Sequence, residues 1–351
     1  MKTEYRKLGE YIRLVDVRNT DLKVNHLLGV SVEKCFIESI ANTIGTDFSK
    51  YKIVKKRQFT YIPDTSRRGD KIGIALLTDY DEGLVSNIYT VFEVIDTSKL
   101  LPEYLMLWFS RPEFDRYARY KSHGSVREIF DWDEMCRVEL PIPAIEVQQK
   151  IVDAYNAITK RIQIKQKINE KLEKTAQCLF EKMFPNIIDN GNNRFEDIID
   201  FSNGKSRPEE LGSIPVYGGN GIMSYTDKTN AENCIAIGRV GAYCGSTYLC
   251  KSKCWISDNA IKAKYKFSEK QFFAYYLLKK ANLFERHIGT GQQLLTQEIL
   301  ASIPMLKPSD GDIEKFNEEC EPIENQLKLN IDEISKLQEL KQLVISRISG
   351  M

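Results

Sequence analysis

The sequence predicts an α+β protein built as two pseudo-symmetric globules separated by two long helices that pair antiparallel. Three observations predict it. From Leu140 to Phe184, apolar residues recur at seven-residue spacing through Ile151, Tyr155, Ile158, Ile162, Leu172, Ala176, Leu179 and Met183, with polar breaks at Lys165 and Asn169, a coiled-coil seam. Shifting by 165 positions yields a second seam, Phe316, Cys320, Ile323, Leu327, Asn330, Ile334, Leu337, Lys341, Val344 and Ile348, so Lys165 and Asn330 are equivalents. The same shift aligns Gly124–Phe130 with Gly289–Leu295, and Pro141 and Pro143 mark the approach to one helix as Pro304 and Pro308 mark the other. A repeat this long indicates a duplicated domain, since solenoid periods run roughly 20 to 50 residues.

The expected order is a globule over residues 1–139, a helix over 140–185, a second globule over 186–306 and a second helix over 307–351. In the first globule, strands are predicted at Leu27–Val32, Tyr51–Val54, Gln58–Tyr61, Ile72–Leu77 and Tyr89–Ile95, between turn residues. Leu101–Tyr120 reads as one helix with Tyr104, Leu107, Trp108, Phe114 and Tyr117 turned to the core. Pro185–Arg194 is a polar link. In the second globule, Cys234–Gly245 and Cys254–Ile261 are apolar runs matched in the first by Ile72–Ala75 and Ser86–Ile88, and Glu269–Arg286 reads as helix. Pro322 lies inside the second long helix, where an internal proline costs about 3 kcal/mol, so regular pairing is expected only from about Ile323.

Opposite helix charges favour pairing the two with each other. Gln148–Phe184 carries a net +4 and Asp312–Met351 a net −4. The chain's +1 balance also conceals basic stretches in both globules, with eight cations between Lys50 and Lys71 and five between Lys251 and Lys266. No apolar run reaches the ~18 residues of a membrane span, and the N-terminus carries no signal-peptide core, so a cytoplasmic location is expected. Cys234, Cys244, Cys250 and Cys254 are separated by nine, five and three residues, unlike the Cys-x2-Cys pairs of zinc sites, and read as small buried hydrophobes with no metal. The sequence holds no phosphate loop, nucleophile elbow or methyltransferase catalytic loop. A recognition module is therefore expected. The competing classes are a coiled-coil adaptor without DNA specificity and an enzyme built on the cysteines.

Leu140-Pro-Ile-Pro-Ala-Ile-Glu146-Val-Gln148-Gln-Lys-Ile-Val152 opening a long helix, with Gly124-Ser125 before it and Gly289-Thr290-Gly-Gln-Gln293 in the other copy, resembles the DNA specificity subunit of Type I restriction-modification systems. The resemblance runs over essentially the whole chain. It is carried by the alternation of globule and helix and by the proline-marked helix openings, although Pro308–Glu314 lacks the Glu-Gln pair seen as Glu146 and Gln148. It implies that the globules are target-recognition domains and the helices spacers. A non-catalytic subunit would then select a bipartite sequence in double-stranded DNA. It implies two methyltransferase partners using S-adenosylmethionine and two translocase/nuclease partners using ATP and Mg, with no cofactor on this chain.

About 35 helical residues span roughly 50 Å, against ~34 Å per turn of B-DNA, so two domains could read one duplex a turn or more apart. The residues expected to read bases are Arg67, Arg68, Ser86, Asn87, Ser125 and Arg127 in the first domain. In the second they are Tyr217, Asn220, Arg239, Tyr243, Asn259, Thr290, Gln292 and Gln293. Lys52, Lys55, Lys56, Arg57, Lys251 and Lys253 are expected to meet phosphates.

Overall fold

The computed structural model describes residues 4–39, 45–66, 71–124, 128–289 and 291–348. It divides into two compact units, residues 1–164 with 333–351, and residues 165–332. The first unit runs through β1 (Tyr5–Lys7), β2 (Ile12–Val15), β3 (Leu28–Val30), β4 (Phe36–Glu38), β5 (Lys52–Lys55), β6 (Phe59–Tyr61), β7 (Ile74–Leu76), β8 (Glu82–Val85) and β9 (Thr90–Val94). Helices α1 (Pro102–Phe109), α2 (Pro112–Lys121) and α3 (Trp132–Arg137), strand β10 (Glu139–Pro141) and the start of α4 (Ile145–Met183) follow. The second unit holds β11 (Ile188–Arg194), β12 (Ile199–Asn203), β13 (Ile214–Gly218), β14 (Gly221–Thr226), β15 (Ala231–Gly238), β16 (Thr247–Ile256), β17 (Ala260–Tyr265), α5 (Phe272–Lys280), α6 (Gln297–Ala301), β18 (Pro304–Met305) and the start of α7 (Asp310–Arg347). Among the described residues no helix is long and apolar enough to cross a membrane.

In the first unit the central sheet has the order β2-β9-β6-β7, all antiparallel. Its core is aromatic: Phe59 stacks on Phe92 at 4.8 Å and Phe109 meets Phe59 edge-on at 5.7 Å. In the second unit the order is β12-β17-β15-β16-β13-β14, with β13 and β16 parallel. Phe180 of α4 packs against Phe316 of α7 at 5.3 Å and Phe273 of α5 at 5.8 Å, which roots both long helices in that core.

The helix seam is where the heptads place it. Every seam residue from Ile151 to Met183 and from Phe316 to Ile348 is buried or half-buried. Pairing is antiparallel within each unit. In the first, Arg161 bonds Glu333 at 2.6 Å and Lys341 lies 4.7 Å over the Tyr155 ring. In the second, Lys165 meets Asn330, and Phe180 and Phe184 meet Phe316.

Four expectations require correction. Leu101–Tyr120 forms two helices, because Pro112 pushes Arg111 to φ −79°, ψ 139°, which ends the first. The link Pro185–Arg194 contains a strand, β11, paired with β18. Glu269–Arg286 narrows to α5 followed by a 3-10 turn at Leu283–Arg286, broken where Asn282 takes φ +47°. Pro322 neither stops α7 nor delays its pairing, since Phe316 and Cys320 before it are buried in the core. The proline ring is exposed, so the Glu318 carbonyl that loses its helical partner sits on the exposed side and can bond water.

Candidate nucleic-acid interface

The end of each central sheet is closed by loops knitted through their backbones. In the second unit Arg239 N–H donates to the Asn259 carbonyl at 3.0 Å, Gly241 N–H to Gln293 at 3.0 Å, Leu295 N–H to Arg239 at 2.9 Å and Ser257 N–H to Tyr217 at 2.9 Å. The turn after β13, the segment after β15, the β16–β17 turn and the segment at Gln292 thus form one surface. Glycine permits the approach: a Cβ on Gly238 would stand 2.1 Å from the Tyr243 carbonyl. Asn220, Tyr243, Asn259 and Gln292 are exposed on this surface, while Tyr217, Arg239 and Gln293 are half-buried. Burial pushes the Tyr217 phenol above its ordinary range, and Arg239 Nε is buried without a hydrogen-bond partner among the described residues. Neutral amides, a phenol and a guanidinium held on a rigid backbone can donate to and accept from base edges.

The first unit repeats the pattern. Phe130 N–H donates to Pro63 at 2.9 Å and Thr65 N–H to Glu128 at 3.0 Å, the counterparts of Leu295 with Arg239 and Gly241 with Gln293. The isolated bridge His123↔Ile129 likewise matches Ile288↔Leu294, each pair 165 residues apart. Ser86–Ile88 matches Ser257–Asn259 as expected, for Tyr89 N–H bonds Ser86 just as Ala260 N–H bonds Ser257, both at 3.0 Å. The counterpart of the Cys234–Gly238 strand, however, is Phe59–Tyr61 and not Ile72–Ala75. The strand register decides this: β6 pairs β9 as β15 pairs β17. Sequence reading therefore missed Pro63, Asp64 and Thr65, which take the place of Arg239, Val240 and Gly241. The available signal was a short strand-forming run ended by a turn residue in both copies, Phe59-Thr-Tyr-Ile-Pro63 and Ile235-Ala-Ile-Gly-Arg239.

Among the other expected readers, Ser86 is half-buried and Asn87 exposed. Arg67, Arg68, Ser125, Arg127 and Thr290 lie outside the described residues. The basic candidates do not gather. Lys52 turns its ammonium to the Tyr89 carbonyl at 2.8 Å, bracing the β8–β9 turn, and burial lowers its pKa. Lys55, Lys56 and Arg57 lie ahead of β6, at the end of that strand away from Pro63. Lys55 is exposed, Lys56 faces Asp81 at 3.6 Å and Arg57 bonds Glu103 at 3.0 Å. Lys253 is exposed, whereas Lys251 is committed to α7, its ammonium 2.6 Å from the Glu324 carbonyl and 3.0 Å from the Glu324 carboxylate.

Each unit also anchors a long helix through a buried amide. Gln148 of α4 accepts from Leu101 N–H at 2.9 Å and donates to the Lys99 and Pro143 carbonyls, each at 2.8 Å. Asn317 of α7 accepts from Phe273 N–H at 3.0 Å.

The arrangement defines a scaffold for recognition, in which two sheet domains bearing related polar loop surfaces alternate with two long paired helices. The family described as Type I restriction modification DNA specificity domain matches residues 4–174 and 191–316. The chain belongs to that family. It is 30% identical over 135 residues to the Type I restriction enzyme HindI specificity subunit of Haemophilus influenzae, the match covering 38% of this chain and 29% of that protein. Among solved structures, the S subunit of a Type I restriction-modification system from M. genitalium superposes with a TM-score of 0.62 at 14% identity, over 99% of this chain and 96% of the other. The HsdS subunit of Thermoanaerobacter tengcongensis gives 0.41 at 15% identity, over 99% and 96%.

Proposed function

We propose that this chain is the non-catalytic DNA specificity subunit of a Type I restriction-modification complex, and that it reads a bipartite target with one half assigned to each domain. The observation that carries the reading is the loop surface repeated at the 165-residue offset, knitted by Phe130 to Pro63 in one domain and Leu295 to Arg239 in the other. Two related surfaces with different side chains suit two different half-sites. Helices rising 1.5 Å per residue would set the unread spacer between them. Exposed apolar residues on the helices, among them Ile164 of α4 and Leu329 and Ile331 of α7, suit a surface covered by partners. The partners are two methyltransferase subunits that use S-adenosylmethionine and two translocase/nuclease subunits that use ATP and Mg.

The test is to remove seven residues from each long helix, which preserves the seam while shortening each by about 10 Å. Methylated adenines mapped with the reconstituted complex should show the same half-sites at reduced separation. Altered half-sites at the original separation would contradict the proposal. Absence of sequence-selective methylation by the unmodified complex would leave a protein-only adaptor.

A further inference from the structure

Three cysteines whose sequence spacing matches no zinc motif meet in the folded second unit. Cys234 of β15 and Cys250 and Cys254 of β16 are buried, with their sulfurs within 4.8 Å of one another and Cys234 to Cys254 at 3.9 Å. Two features of the strands bring this about. Cys234 stands opposite Cys250 in the β15–β16 ladder, and the register slips between Glu232 and Cys234, where Asn233 takes φ +52°, drawing Cys254 back toward the pair. The cysteines also project from the sheet face opposite the main core. Ile235 and Ile237 join the large core, while Cys234 and Ala236 belong to a separate small cluster closed by Tyr217 and Tyr248. Cys244 is not part of it, its sulfur lying 3.4 Å from the Arg239 carbonyl.

Sulfurs bound tetrahedrally to zinc at about 2.3 Å stand about 3.8 Å apart, close to the separation already present between Cys234 and Cys254. A hydroxyl-bearing side chain is also at hand, since Tyr217 packs against the cysteine cluster, while the Cys250 thiol reaches the Tyr248 carbonyl at 3.7 Å. Lys262 stands opposite Ala236 in the β15–β17 ladder and so shares the cysteines' face of the sheet. That cation would balance the single excess negative charge of three thiolates around a divalent ion.

We propose that Cys234, Cys250 and Cys254 bind one zinc ion through three thiolates, with the fourth position facing the Tyr217 hydroxyl. Binding releases three thiol protons and displaces water from the hydrated ion; no redox change occurs. The ion would staple β15 to β16 and seat the β13–β14 hairpin that carries Asn220. This site is independent of the DNA-reading proposal.

The experiment uses the full chain kept under reductant, stripped with chelator and titrated with Co²⁺. One equivalent should bind with a thiolate-to-cobalt charge-transfer band and the strong visible absorption of tetrahedral coordination. Zinc should then displace the cobalt and abolish both. Cys250→Ser should lose the band and Cys244→Ser should keep it. A chain with native circular dichroism that gives no thiolate band overturns the proposal, as does a band that survives Cys250→Ser. Because the wild-type titration is itself decisive, a variant that fails to fold leaves the test intact.

Discussion

Lys165 Nζ donates to Asn330 Oδ1 at 2.9 Å, so two residues that hold the same place in the two copies of the repeat meet each other in the helix seam. Asn330 is almost fully buried, donates to Asn169 Oδ1 at 2.7 Å and accepts from Gln326 at 2.9 Å. A polar group at a seam position lowers stability but sets register. Asn330→Leu is expected to cost about 1–3 kcal/mol in urea unfolding, because Asn169 loses its buried donor. The triple change Lys165→Leu, Asn169→Leu and Asn330→Leu is expected to restore stability while relaxing register. A disulfide engineered between positions 161 and 333 should form less completely in the triple variant. Full cross-linking there would show that register is set elsewhere.

Gln148 makes three hydrogen bonds from a fully buried amide. Gln148→Ala strands one N–H and two carbonyls and is expected to cost about 2–4 kcal/mol. Gln148→Glu keeps the acceptor for Leu101 but sets a carboxylate against two carbonyl oxygens, so it should be worse than alanine at neutral pH. Thermal unfolding of the two variants ranks them, and a glutamate variant as stable as wild type would refute this account.

Lys251 and Lys253 lie two residues apart on β16 and should behave oppositely. Among the described residues, Lys251→Met leaves the buried Glu324 carboxylate with only the Tyr276 hydroxyl at 2.8 Å, at an expected cost of about 3 kcal/mol. Lys253→Met, at an exposed position, should change stability by no more than about 0.5 kcal/mol. Denaturant midpoints with matched slopes distinguish the two sites.

Asn220→Ala and Gln292→Ala remove exposed side chains without touching the backbone bonds beneath them. If they read bases, each should weaken binding by about 1–3 kcal/mol, and only for DNA carrying the cognate second half-site. Competition binding of the assembled complex with half-site variants gives the answer. Equal losses on every sequence would make these residues backbone contacts.

Much of the fold was legible because it rests on local periodicity. The heptads located both helices to within a few residues, and the strand runs of the first domain fell where alternating apolar residues and turn signals put them. Errors arose where a local rule met tertiary packing. By local rules Pro322 is an obstacle, but burial of Phe316 and Cys320 outweighs one lost hydrogen bond on an exposed face. Gln148 stands out in the sequence through a family resemblance, yet its work as an anchor depends on carbonyls at Lys99 and Pro143 that periodicity does not reveal. The reading loops were half legible. Ser86–Ile88 was matched to its counterpart, while Pro63–Thr65 was missed because unequal loop lengths break the 165-residue offset upstream of Gly124.

By itself the sequence determined the duplicated order of domain and helix and the seam that pairs the helices, because both are periodic properties carried by neighbouring residues. Only the tertiary structure decided which loops share a surface, which lysines are committed to internal partners, and which of four scattered cysteines converge. Those outcomes depend on strand register and on a bulge, which join residues far apart along the chain through main-chain hydrogen bonds that form whatever the side chain.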